Sequence, residues 1–211
     1  MKLFTEQEIL SIKSDLFSRK SGKRRGAAKK IGKNKIMPMK QLLLEAYIKE
    51  RKDTRTWETQ TEMIKALGKL DYKEAIPYLK EIVDWNKDED TITAYAALSY
   101  IRLTRKSVND MSIILDFLRN GNTMVFDGAV MALVYDDVIP TEQDMKKVIE
   151  ILNERKSVYE RPFSNPVGQI ISAMYQWPHE LSLPFLNRYK NIPEYAHFVE
   201  NTLAGKKSYR E

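Results

Sequence analysis

The chain has 211 residues, 43% of them hydrophobic, a formal net charge of +6 and no cysteine. A chain this long can bury a substantial core as one continuous domain. The absent thiols exclude disulfides, thiolate metal sites and thiol catalysis, and fit a cytoplasmic protein. Eight glycines and eight prolines leave little room for long loops or many strand turns. No apolar run approaches the roughly 18–20 residues of a membrane span, and the start, MKLFTEQEILSIK, lacks the layout of a secretion signal.

The first predicted element is a helix within residues 1–18. Thr5-x-x-Glu8 is a capping box, and Ile9, Ile12, Leu16 and Phe17 stripe one face. Residues 22–52 follow as a helical hairpin, and its first half is the most basic part of the chain. Residues 1–55 carry sixteen Lys/Arg against six Asp/Glu, whereas the remainder carries nineteen against twenty-three. A helix over 22–33 turns Ala27, Ala28 and Ile31 inward and sets Arg25, Lys29 and Lys33 in an i, i+4, i+8 stripe outside. With Arg24 and Lys30 these make a candidate anion-binding face, for an acidic protein partner or for nucleic acid, unless the helix is merely a solvated basic one. No aromatic residue lies between Phe17 and Tyr47, so this segment has no base-stacking platform, although a duplex-backbone binder would not need one.

Residues 54–85 are the clearest unit. Met63, Ile64, Leu67 and Leu70 stripe one helix, and Ile76, Leu79, Ile82 and Val83 a second, with Pro77 tolerable only in the first turn. Thr59-x-x-Glu62 and Asp71-x-x-Glu74 are the expected caps. Such a hairpin cannot bury its apolar face alone and must stack on copies of itself. Taking Ala66-Leu67-Gly68 as anchor, copies appear at Lys30-Ile31-Gly32, Ala97-Leu98-Ser99, Ala132-Leu133-Val134 and Ala173-Met174-Tyr175. Small residues at the anchors let neighbouring helices approach closely. Second stripes follow at Leu43/Ala46/Tyr47, Met111/Ile114/Leu118, Met145/Val148/Ile149/Leu152 and Leu183/Leu186/Tyr189. The hairpins so defined cover about 22–52, 54–85, 88–120, 122–154 and 164–191, with a last helix over 194–204 and Gly205 as its stop.

WETQTEMIKALGKLDYKEAIPYLKEIV resembles a HEAT repeat of the bacterial type, its helix A ending in ALG and its helix B opening on EAIP. The resemblance implies an all-α, right-handed α-solenoid of about five hairpins with capping terminal helices. It also implies an arginine near the middle of helix A, which Arg24 or Arg25 supplies in the first repeat. HEAT arrays serve unrelated tasks, so the likeness carries fold rather than function. Its most natural functional form is a non-enzymatic protein-interaction module, such as an immunity or inhibitor protein covering a toxin or effector. The alternative is a nucleic-acid binder, either of the duplex backbone or of the HEAT-like DNA glycosylase kind; for the latter no aspartate can be matched to that family's site.

Candidate contacts follow from this frame. Lys40, Glu45, Lys80, Asp84 and Asp116 line a helix-B ridge. The segment RKSVYERPFSNPVG, residues 155–168, breaks periodicity and reads as a long loop offering Tyr159, Arg161 and Phe163, unless its own aromatics pack it down. Asn165 and Pro166 are the expected start of the following helix. Asp88 or Asp90 is expected to cap the third hairpin, and Asp127, in the most apolar stretch, is expected on a helix rim. Trp57, Trp85 and Trp177 read as hairpin packing. His179 and His197 show no convergence with a serine or carboxylate, so no catalytic, metal or cofactor site is expected.

Overall fold

The computed structural model describes residues 4–162 and 165–209 and is all-helical, with no strand among the described residues. The chain divides into two compact units, Met1–Thr104 and Arg105–Glu211. Among the described residues no helix is long and apolar enough to cross a membrane.

Unit 1 holds α1 (Glu6–Leu16), α2 (Ser21–Asn34), α3 (Lys40–Glu50), α4 (Trp57–Lys69), α5 (Ile76–Trp85) and α6 (Thr91–Thr104). Here α2, α4 and α6 pack side by side in one row, while α1, α3 and α5 flank them. The capping box at α1 forms as expected: Thr5 Oγ accepts from Glu8 N, and Glu8 accepts from Thr5 N at 2.9 Å. Pro77 sits in the first turn of α5, and Asp90 accepts from Thr93 N and Oγ, capping α6. Two expected caps are not there. Thr59 is buried inside α4 with its hydroxyl donating to Ser21 O, and Asp71 lies in left-handed backbone at φ 50°.

Unit 2 holds α7 (Ser112–Asn120), α8 (Thr123–Tyr135), α9 (Glu142–Glu154), α10 (Lys156–Tyr159), α11 (Val167–Ala173), α12 (His179–Leu186) and α13 (Pro193–Leu203). The pattern is similar, with α8, α11 and α13 adjacent and α7, α9 and α12 alongside them. Instead of capping α11 outright, Asn165 accepts from Val167 N at 3.4 Å and from Tyr195 Oη at 3.0 Å.

One turn recurs in both units. After α2, α4, α8 and α13 the chain passes through a left-handed residue: Lys35, Asp71, Asp137 and Gly205. The next N–H reaches back five residues, Ile36 to Ile31 O, Tyr72 to Leu67 O, Val138 to Leu133 O and Lys206 to Asn201 O. These are Schellman closures, which satisfy carbonyls left over at a helix end. In the first three the residue after the left-handed one is buried, so the turn also pins an apolar side chain under the helix. The last, after α13, places Thr202 where Gly32, Gly68 and Val134 stand, an anchor that the apolar pattern alone did not reveal.

The anchors are close-packed. A Cβ on Gly32 would lie 2.9 Å from Ala66 Cα, and one on Gly68 2.7 Å from Ser99 Oγ. Ser99 Oγ donates to Ile64 O and Thr202 Oγ to Ile171 O, so a side chain on one helix satisfies a carbonyl of its neighbour. Leu67, Leu79, Leu98 and Leu133 are buried as the stripes require. Ile149 is not: α9 turns Met145, Val148, Ile151 and Leu152 inward and leaves Ile149 half-buried. Leu183 is likewise exposed, because Phe185 and Leu186 take the inner face of α12.

Candidate functional site

The basic helix α2 forms without an acidic residue in its first turn or a side-chain cap. Its inner face is Ala27, Ala28, Ile31 and Gly32, all buried, and the helix packs against α1 and α4. Small inward residues let long basic side chains leave on the other side.

The basic residues divide by what holds them. Arg24 points inward, its side chain 18% exposed. Its Nε and Nη2 donate to both oxygens of buried Glu50, at 2.5 and 2.7 Å, and its Nη1 to Ser18 O and Arg19 O. Glu50 raises the pKa of this guanidinium further. Arg24 is therefore a clamp between the ends of α1 and α3, which corrects its placement on the outer face. Arg25 is half-exposed and pairs with Glu58 on α4. Lys30 lies over the Phe4 ring, its Nζ 5.7 Å from the centroid. Lys29 and Lys33 are exposed, and their side chains make no hydrogen bond or ion pair among the described residues. They sit one helical turn apart, a distance at which two like charges repel unless an anion lies between them.

On the helix-B side, Lys40 is exposed with its Nζ 5.2 Å from the Tyr72 ring centroid, and Lys80 pairs with Asp84 at 2.6 Å. Glu45 and Asp116 are exposed, the latter accepting from Asn120.

The segment after α9 is packed down rather than offered. Tyr159 is fully buried at the end of α10, stacked on Phe126 with centroids 6.1 Å apart and against Phe185 at 6.3 Å. Arg161, its side chain 14% exposed, donates from Nη2 to both oxygens of Asp127 at 2.7 and 2.8 Å. Neither residue is a surface contact, because the one helical turn ahead of the prolines sets Tyr159 against Phe126 and Phe185, and Asp127 holds Arg161. Phe163 lies outside the described residues. Asp127 is not on a helix rim but 5% exposed, and burial pushes its carboxyl up to about 6 against the opposing pull of Arg161. Nearby, Tyr189 Oη donates to Glu160, and Asn165 donates to Arg161 O. With both Asp127 oxygens engaged, the arrangement is an internal clamp between α8 and the chain leading into α11, not a carboxylate presented to a substrate.

The tryptophans also differ from expectation. Trp177 is buried, but Trp57 is 48% and Trp85 75% exposed. Both stand at helix ends, where the apolar period stops reporting which side a neighbour covers. The exposed cations of α2, with Lys40 and Lys80 on the helix-B side, remain on the surface, and Arg24, Tyr159 and Arg161 are withdrawn from it. Comparison with protein-family models, with curated proteins and with solved structures returns no match to this chain.

Proposed function

We propose that the chain is a non-enzymatic interaction protein, an α-solenoid of HEAT-like hairpins that binds an acidic surface of another protein. An immunity or inhibitor protein covering a toxin or effector is the form of this reading that the small, basic, close-packed chain suits best. The recurring Schellman turn and the glycine contacts at Gly32 and Gly68 support the repeat architecture. The observation that carries the function is the unpaired state of Lys29 and Lys33 beside Arg24 and Arg25, whose charges are already taken up by Glu50 and Glu58. Arginines that hold the fold and lysines left in solvent on one helix are the division expected of a surface that steers an anionic partner.

The test is a salt series. The protein and its Lys29→Gln/Lys30→Gln/Lys33→Gln variant are compared for binding to an immobilised acidic peptide and to a short DNA duplex. Binding to the acidic peptide that slows in association for the variant, with an unchanged melting curve, supports the reading. Preference for the duplex, with a log–log salt slope of roughly one per phosphate contact, supports nucleic-acid binding instead. No difference between protein and variant on either probe rejects a working role for this face.

A further inference from the structure

Where α1 and α3 end, unit 1 carries a cleft of ≈ 250 Å³. Phe17, 38% exposed, gives it its open apolar surface, and the buried Leu16 and Ala46 stand behind it. The Arg24–Glu50 clamp lines it as well, and Lys49 and Asp53 complete it. Lys49 Nζ stands 5.1 Å from the centroid of the Phe17 ring. The space suits one branched aliphatic or aromatic side chain, the size of insert that anchors many protein interfaces.

The charges around this cleft are one-sided. Glu50 is held by Arg24, Asp53 by Arg55 at 2.9 Å, Glu81 by Arg51 at 2.8 Å and Asp15 by Lys23 at 3.2 Å. Arg55 holds the Asp53 carboxyl down at about 2, so this acid stays ionised and engaged with its own neighbour. Lys20, Lys49 and Lys52 have no carboxylate partner among the described residues. Both acids that line the cleft, Glu50 and Asp53, are thus matched while Lys49, which also lines it, is left over, so an anionic partner meets attraction without displacing an existing pair.

We propose that this cleft receives one apolar side chain of an acidic segment of the partner protein. The proposal rests on the acidic-partner reading above and adds where the segment is anchored. Lys49 at the cleft, with the exposed Lys20 and Lys52 on the adjoining chain, attracts the segment, and the Phe17 ring, backed by Leu16 and Ala46, covers its single apolar residue. The lysines of α2 then act mainly on encounter, and the cleft on residence.

Two short fluorescein-labelled peptides of Asp and Glu test it, one with a single central Leu and its twin with Ser in that place. Fluorescence anisotropy should give the Leu peptide about tenfold tighter binding, the increment expected for burying one such side chain. Ala46→Trp, which fills the cleft, should erase that preference. Should that variant fail to fold, Phe17→Ser removes the same apolar surface at an exposed position and carries the same expectation. Lys49→Gln with Lys52→Gln should weaken both peptides alike. Equal affinity for the two peptides, or a preference that survives both Ala46→Trp and Phe17→Ser, overturns the cleft while leaving the acidic-partner reading standing. Binding of neither peptide overturns both.

Discussion

Gly68 lies so close against Ser99 that an added Cβ would stand 2.7 Å from the Ser99 oxygen and 3.1 Å from its Cα. The same hydroxyl donates to Ile64 O, so it cannot turn away without leaving a buried carbonyl unsatisfied. Gly68→Ala should therefore destabilise by roughly 1–3 kcal/mol, the usual effect of overpacking. Gly26→Ala is the matched control, with nothing within 4 Å of its new Cβ, and should be neutral or stabilising by up to about 1 kcal/mol. Urea titration of both variants checks the pair.

Arg24 and Lys29 stand on one helix five positions apart and should answer mutation in opposite ways. Arg24→Gln leaves the buried Glu50 carboxylate without its clamp and should cost about 3–5 kcal/mol. Lys29→Gln and Lys33→Gln, which break no pair among the described residues, should each change stability by less than about 0.5 kcal/mol. Thermal melts monitored by circular dichroism separate the two classes.

Asp127 gives the fold a pH dependence of unusual sign. Burial favours its neutral form, raising the carboxyl from 3.8 to about 6. Its stabilising contribution is complete below the ordinary carboxylate range and is lost as pH rises through about 6. Asp127→Asn should remove this component, on the order of 1–3 kcal/mol. Measured as the difference between protein and variant, stability should fall from pH 4 to 6.5 and then stay level. A difference that is flat over that range contradicts the assignment. Asp110 runs the other way. Backbone and side-chain donors from Lys106 and Ser112 hold it down at about 2, so its contribution is present above the ordinary carboxylate range and lost in acid.

Trp85 should dominate the quenchable fluorescence. At 75% exposure against 48% for Trp57 and 5% for Trp177, it should account for most of the emission accessible to acrylamide. Trp85→Phe should remove that component and leave a blue-shifted residual spectrum from Trp177. Unchanged quenching in this variant would place the ring inside.

What the sequence makes legible follows from how local each determinant is. The Thr5–Glu8 box spans four residues and is visible by inspection, and so is Pro77 in a first helical turn. The burial of Leu67, Leu79 and Leu98 follows from helical period alone. The inward course of Arg24 is not legible locally, because its side chain is decided by Glu50, twenty-six positions away, and by two carbonyls just past the end of α1. Tyr159 and Arg161 leave a free and a packed-down loop both open in sequence, because prolines, Ser and Asn dominate their neighbourhood, and the structure takes the packed one. Their burial comes from Phe126 and Asp127 on α8, which no local pattern reports. Trp57 and Trp85 show the converse failure. A large apolar side chain at a helix end is covered only if another element arrives there. The cleft beside Phe17 was out of reach for the same reason, since its lining comes from α1, α2, α3 and the turn after α3.

Most of the hydroxyls and guanidiniums that reach across to another helix span between 30 and 38 positions. Thr59 meets Ser21 across 38 positions, Arg51 meets Glu81 across 30, Arg161 meets Asp127 across 34 and Thr202 meets Ile171 across 31. Closing a loop costs entropy that grows only logarithmically with its length, so steps of such similar span face nearly equal barriers. Within each unit, acquisition of structure should then resemble the growth of a stack, each helix pair templating the next, with no single long-range contact on which the rest must wait. Amide exchange should register this as protection that is graded from helix to helix rather than lost in one event.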